Sequence, residues 1–271
     1  MSGGTRTDEA KDPEFLSTLE RGLRVLQVFG RDAPEMSLSD VAAASNLNPA
    51  VARRCLNTLA ELGYVARHGR RFLLLPKLLK FADAFLASTN VEQAVMPALQ
   101  NLRDETGDSV VMGVRVGEHV IGIAHGSPAH AIRPSGNIGT SFPLHATSLG
   151  KAILAHLAEQ ELAEYFANSH RVRLTPNTIT DETALRAQLA EIRCVGFAAS
   201  DGEYDHGVYA VAVPVWDEDR NVIGSINCST ANTRAARRDF EESRVPILRE
   251  TASQIGREVR KHPVLFRSLR S

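Results

Sequence analysis

Arg53, Arg54 and Asn57 stand close together in NPAVARRCLNTLAELGYVARHGRRF, residues 48–72, and are suited to reading nucleic-acid bases. An arginine fork takes guanine O6 and N7 together, and an asparagine amide pairs with adenine in the same two-pronged way. From 49 to 80 the chain places Arg53, Arg54, Arg67, Arg70, Arg71, Lys77 and Lys80 against one acid, Glu61, although its net charge is −1. One basic patch on a balanced chain is the footprint of a phosphate-contacting module. The competing reading is the solvated face of a helical bundle, and the charge asymmetry favours the first.

A second set of residues suits a small carboxylate, which needs N–H and O–H donors converging in a dry concavity. Thr147 and Ser148 open an apolar helix, and Asn227 and Ser229 alternate along a strand, so both point to one face. The bland reading has Thr147 capping its helix and Asn227 satisfying buried backbone; the residues alone leave both open. Arg133 is a further carboxylate partner or a surface arginine. Several features imitate enzymes without completing a site. Ser148 and Lys151 have S-x-x-K spacing but no SDN or KTG partner, so a helix start and a surface lysine account for them better. Gly150-Lys151 lacks the rest of a P-loop. Asp201, Glu203, Asp205 and His206 read as a loop rather than acid-base or metal groups, and His119, His125 and His130 lack the i, i+4 spacing of metal ligands.

The elements that carry these residues follow from periodicity. Leu16, Leu19, Leu23, Val25 and Leu26 predict an amphipathic helix with one buried face, ending near Gly30. Ser37 with Asp40 marks the cap of a second helix. Asn48 with Pro49 opens a third, with an apolar stripe of Val51, Cys55, Leu56, Leu59 and Leu62, stopped at Gly63. YVARHGRRFLLL reads as a hairpin with a basic tip. Helix, helix, turn, helix and wing make a winged helix-turn-helix, offering Ser37, Asn48, Pro49, Ala50, Arg53, Arg54 and Asn57 from the helices and Arg67, Arg70 and Arg71 from the wing.

A linker helix is predicted over 77–89, too apolar at Leu78, Leu79, Phe85 and Leu86 for a free connector and suited to a subunit contact. Asn90 with Gln93 predicts the cap of a helix reaching Thr106. Strands are expected at VVMGVRV, HVIGIAH, AIRPS, VYAVAVPVW and NVIGSINCST, with helices at 147–157, 159–168, 181–194 and 233–261. The fold class is α+β, with a largely antiparallel sheet backed by helices in the second domain. The organisation is a tail at 1–14, the winged domain at 15–76, the linker at 77–90, a ligand domain at 91–262 and a tail at 263–271. No run approaches a membrane span and no secretory signal opens the chain, so the cytoplasm is the expected compartment. Cys55, Cys194 and Cys228 are too scattered for a disulfide framework and read as buried thiols.

LERGLRVLQVF, LSDVAAASNLNPAVARRCLNTLAELGYV, FPLHATSLGKAILAHL and GFAASDGEYDHGVYAVAVPVWDEDRNVIGSINCST together resemble the IclR family of bacterial transcription regulators, from about Phe15 to Arg260. The ARRCLNTLAELGYV and SINCST wording resembles the branch that regulates protocatechuate, 4-hydroxybenzoate and other β-ketoadipate-pathway genes. The resemblance implies a homodimer, often a dimer of dimers, on a palindromic operator of double-stranded DNA, with a GAF-like second domain that binds a small organic acid and no cofactor. It places the effector against His145, Ala146, Thr147, Ser148, Ser200, Asp201, Glu203, Ala210, Asn227 and Ser229. Ala210 and Asn227 depart from the cysteine and serine of the glyoxylate-type member, which speaks against that ligand. Zinc, bound in this domain by some relatives, is the lesser alternative. Two functions are therefore carried forward: a ligand-responsive regulator, and a metabolic enzyme with an accessory winged domain. The incomplete catalytic sets favour the regulator.

Overall fold

The computed structural model describes residues 14–30, 32–128, 136–231 and 236–270. Two compact units divide the chain at Ala84 and Phe85. The first contains α1 (Ser17–Gln27), β1 (Glu35–Ser37), α2 (Leu38–Ala44), α3 (Pro49–Glu61), β2 (Val65–His68), β3 (Arg71–Leu74) and most of α4 (Leu79–Thr89). Its strands form an antiparallel sheet in the order β1-β3-β2. Both predicted caps are present. Asp40 N donates to Ser37 Oγ and Ser37 N to Asp40 Oδ2, while Ala50 N donates to Asn48 Oδ1 at 2.9 Å. Ser37 Oγ and Ser37 N both donate to Asp40 Oδ2 and hold that carboxyl below its usual range.

Val25, Phe29, Met36, Val41, Cys55, Leu56, Leu59, Val65 and Phe72 form the core of this unit. The one-sided reading of α1 is corrected. Val25 is fully buried, yet Leu16, Leu19 and Leu23 are 70%, 60% and 51% exposed. Leu16, Leu19 and Leu23 form their own stripe, one turn apart, on a face that the unit does not cover. On α3 the buried set is Ala52, Cys55, Leu56 and Leu59. Val51 is half-buried, and Leu62, expected in the stripe, is exposed at the C-cap.

The second unit continues with α5 (Val91–Ala94), α6 (Met96–Thr106), β4 (Ser109–Val116), β5 (His119–Gly126), β6 (Ser141–Pro143), α7 (Ser148–Leu154), α8 (Glu159–Asn168), α9 (Glu182–Val195), β7 (Ala198–Asp201), β8 (Val208–Trp216), β9 (Val222–Ala231), α10 (Arg237–Arg260) and α11 (Pro263–Leu269). Its sheet is antiparallel throughout, in the order β6-β5-β4-β9-β8-β7. One face, through Val110, Val211, Ile226 and Cys228, packs against residues of α6 and α10; the other, through Val111, Ala198 and Ala212, packs against α7, α8 and α9. This is the expected α+β arrangement.

Three local expectations change. Asn90 sits at φ 55° with no side-chain cap, and the helix expected from 90 to 106 is broken at Val95. Pro97 is the physical cause, because it has no N–H to donate and its ring crowds the carbonyl four residues back. The presumed tail after 262 instead forms α11, anchored by the fully buried Leu265. Cys194 is exposed rather than buried. The expected strand AIRPS, Arg133 and His130 lie outside the described residues, as does the start expected for the last helix at 233.

Candidate nucleic-acid interface and ligand pocket

In the first unit the buried stripe of α3 determines what its other face presents. With Ala52, Cys55, Leu56 and Leu59 inward, Pro49, Ala50, Arg53, Arg54 and Asn57 are all exposed, lying along one side of the helix from its first turn. Neither Ser37 nor Asn48 offers a free side-chain acceptor, since each is engaged in a cap. Arg67, Arg70 and Arg71 are exposed on the hairpin around Gly69, whose φ of 60° suits glycine at a tight tip. Arg67 Nε donates to Gly69 O and Arg71 Nη1 to Glu35 O. Each guanidinium has five donors, so both keep capacity for phosphate.

In the second unit strand register assembles the predicted ligand residues. Directly paired residues of an antiparallel sheet share a face. Ser200 pairs with Ala210, Ala210 with Ser229, and Ser229 with Ser109, giving one row across four strands. The next row runs Ala198, Ala212, Asn227, Val111 and His125. Both rows lie on the α7 side. Ser225 Oγ donates to Leu149 O at 3.0 Å and Ser200 Oγ to Ala146 O at 3.3 Å, so the sheet is tied to the start of that helix. Ser200, Asn227 and Ser229 are buried, as are His145, Ala146, Thr147, Ser148 and Ala210.

Their capacities differ. Thr147 Oγ1 accepts from Gly150 N and donates to Pro143 O, so the capping role accounts for its hydroxyl. Asn227 Oδ1 accepts from Val111 N at 3.1 Å, as the bland reading expected, while its amide hydrogens have no partner among the described residues. Ser229 Oγ donates to Ser109 O. His145 Nε2 lies 3.0 Å from Val172 O, and burial pushes the imidazole below its usual range against that bond. Asp201 does not join the set. It follows Ser200 on β7, so alternation turns it to the opposite face, and Arg237 pairs with it.

Lys151, expected at the surface, is the largest correction. It is fully buried, with Nζ 2.5 and 2.6 Å from the carboxylate oxygens of Glu203, itself buried. Burial pulls the ammonium below its usual range while the Glu203 charge opposes the shift. The signal was available in SLGKAILAHL, where every neighbour of Lys151 on the helix is apolar or small. Ser109 and Ser225 were also missed, and His125 was weighed only as a metal ligand. Ser225 follows from Asn227 by alternation along β9, whereas Ser109 and His125 follow only once the β4–β9 and β4–β5 registers are known. Among the described residues no group of three or more His, Cys, Asp or Glu is arranged to hold a metal ion.

The neutral form of His145 is favoured by folding. Its folded pKa is depressed, so below its unfolded value of about 6.5 the unfolded chain binds more protons and stability falls with pH. The urea midpoint of the second unit's transition is expected to drop between pH 7 and 5.5. That drop should shrink in His145→Gln; an identical pH slope in the variant would place the titrating group elsewhere.

A winged helix-turn-helix with an arginine-rich outer face, joined to a separate α+β sheet unit, is the architecture of a DNA-binding transcription regulator. The chain belongs to the IclR family: residues 18–69 match the IclR helix-turn-helix domain and 83–257 the bacterial transcriptional regulator IclR C-terminal domain. It is 32% identical over 262 residues to the Pca operon regulatory protein of Acinetobacter baylyi, covering 94% of this chain and 93% of that one. Among solved structures, it is similar to a putative transcriptional regulator, RHA06195, from Rhodococcus sp. RHA1, at 32% identity and TM-score 0.72 over 91% of this chain and 99% of the other. It also resembles the inducer binding domain of a PobR double mutant from Acinetobacter in complex with 3-hydroxy benzoic acid, at 29% identity and TM-score 0.56, over 59% of this chain and 94% of that one. The family and these relatives are transcription regulators, and the enzyme alternative finds no support in them. No helix among the described residues is long and apolar enough to cross a membrane.

Proposed function

We propose that this regulator is a cytoplasmic homodimer that reads a palindromic operator and changes its affinity when a small aromatic or ring-cleavage acid enters the second unit. The observation that carries the effector reading is the buried row Ser200–Ala210–Ser229 beside Asn227, beneath the Leu144–Ser148 segment. The unused amide hydrogens of Asn227 are donors for a carboxylate, and Val111, Ala212 and Leu149 supply an apolar wall. The similarity to an aromatic-acid-binding inducer domain and to a Pca operon regulator supports the aromatic class. In this reading 15–76 is the DNA-binding domain and 91–262 the effector domain, with 77–90 joining them.

Calorimetry against protocatechuate, 4-hydroxybenzoate, homogentisate, β-ketoadipate, pyruvate and glyoxylate tests the class. Heat from an aromatic or ring-cleavage acid, weakened about tenfold by Asn227→Ala with operator binding by the free protein unchanged, is the expected result. Heat only from the two- and three-carbon acids would sink the aromatic assignment. A coupling of about 1–3 kcal/mol, roughly 5–150-fold in operator affinity, suffices for a switch.

On DNA, Arg53 and Arg54 read bases while Arg70 and Arg71 hold the backbone. Arg53→Ala or Arg54→Ala should cost roughly 1–3 kcal/mol and relax one operator position, whereas Arg70→Ala should weaken all sequences alike and lower the salt slope by about 1. Operator variants titrated over a salt series distinguish these. Equal losses on every operator for both helix variants would move Arg53 and Arg54 to the backbone class.

A further inference from the structure

A cavity of about 920 Å³ that shares no lining residue with the polar rows lies where the end of β8 meets the second half of α10. β7 pairs with β8 only as far as Ala212, so Val213 to Trp216 have no β7 neighbour, and Pro214 sits on this open stretch. Gly256 lets α10 come close here: a Cβ on it would lie 2.4 Å from Trp216 O. The helix is therefore pinned against the strand end, and the long side chains on either side of Gly256 border the cavity.

The charges in that border do not cancel. Glu218 is paired with Arg260, Asp217 with Arg270 at 3.4 Å, and Lys261 with Glu258 at 2.7 Å. Arg249 and Arg257 have only neutral partners among the described residues: Arg249 Nη2 donates to Val195 O and Arg257 Nη1 to Ser253 Oγ, each at 2.7 Å. They lie with Ser253 at i, i+4 and i+8 on one helix face, about 12 Å apart along the axis. Each retains most of its five N–H donors. The third component is aromatic. Trp216 is 38% exposed, and the His156 ring stands edge-on to it at 4.8 Å. His156 Nε2 is buried without a hydrogen-bond partner. Burial holds this imidazole below its usual pKa, so near neutral pH it adds no charge to the border.

We propose that this cavity is a second ligand site, separate from the effector pocket, for a planar aromatic dianion that rests on Trp216 and spends its two charges on Arg249 and Arg257. Two uncompensated guanidiniums match two negative charges, and their spacing admits either two carboxylates on one ring or a phosphate carried by a ring system. The indole contributes ring-on-ring contact, with the His156 ring held edge-on beside it.

Trp216 is the chain's single tryptophan, so its emission reports on this site directly. The full-length protein is titrated with terephthalate and with adenosine 5′-monophosphate, and with benzoate and inorganic phosphate as probes lacking one charge or the ring. Saturable quenching by one dianion is expected, with the responding arm identifying the acid group and the two controls at least tenfold weaker. Arg249→Gln and Arg257→Gln, both exposed on α10, should each weaken it about tenfold or more. Asn227→Ala should leave it unchanged. No response to either dianion, quenching that survives both arginine variants, or quenching lost in Asn227→Ala would overturn the proposal. The last outcome would assign the signal to the effector pocket, whose own reading is tested separately by calorimetry.

Discussion

Replacing Lys151 with Met is expected to lower the thermal midpoint of the second unit by roughly 10 °C. The ammonium has no solvent exposure, and among the described residues the charge it meets at bonding distance is Glu203, on the loop between β7 and β8. Removing one partner of such a pair leaves the other charge buried and uncompensated, at a cost of about 3–5 kcal/mol. In a unit of this size each kcal/mol moves the midpoint by about 2–4 °C. The loss also has a local address. Thr175 and Thr178 donate to the backbone carbonyls of Gly202 and Glu203, so this loop is clamped beside Ser200 from both sides. Releasing one clamp should weaken effector binding as well as stability. Lys151→Met/Glu203→Leu is the informative second variant, because replacing both charges with apolar groups removes the orphan and should recover most of the loss. Calorimetric melting of the two variants decides it. A single variant melting within about 2 °C of the parent would mean that the pair does not hold the loop.

Lys151 also illustrates where sequence reading reaches its limit. The caps at Ser37 and Asn48 and the stop at Gly63 involve residues within four positions of one another, and all were legible. Legibility falls when the deciding partner is distant. Ser109 and Ser229 share a row only because β4 lies beside β9, more than a hundred residues later, and nothing local to either serine reveals it. Ser200 and Asp201 looked equally suitable for a ligand, but pleating sends them to opposite faces and Arg237 takes the aspartate. Periodicity likewise reports that a stripe is apolar without reporting what covers it. Leu16, Leu19 and Leu23 obey the same rule as Val25 and end on an uncovered face. Gly150 is a related case. It reads as a helix residue, yet a Cβ there would sit 2.2 Å from Leu144 O, so only glycine lets α7 approach the turn before it.

The largest functional loss is expected from charge on α4. Leu79 is 68% exposed, Phe81 61% and Phe85 38%, on a helix of eleven residues. Of the face predicted from sequence, Leu86 packs on the core of the second unit and Leu78 is half-buried, which leaves Leu79 and Phe85 open, with Phe81 stacked on Tyr64 at 5.7 Å. Apolar side chains exposed so densely mark a contact surface, and in the proposed dimer a second copy covers them. A palindrome rewards that arrangement because the second half-site is then bound intramolecularly, adding about 10²–10⁴ in affinity without any new contact to DNA. Leu79→Glu/Phe85→Glu should therefore sediment as a monomer and lose roughly 10²–10⁴ in affinity for the full operator. Its affinity for an isolated half-site should match that of the parent, since α3 and the wing are untouched. If the double variant sediments as the parent species and binds the full palindrome as tightly, the subunits meet elsewhere, and the uncovered leucines of α1 become the surface to change next.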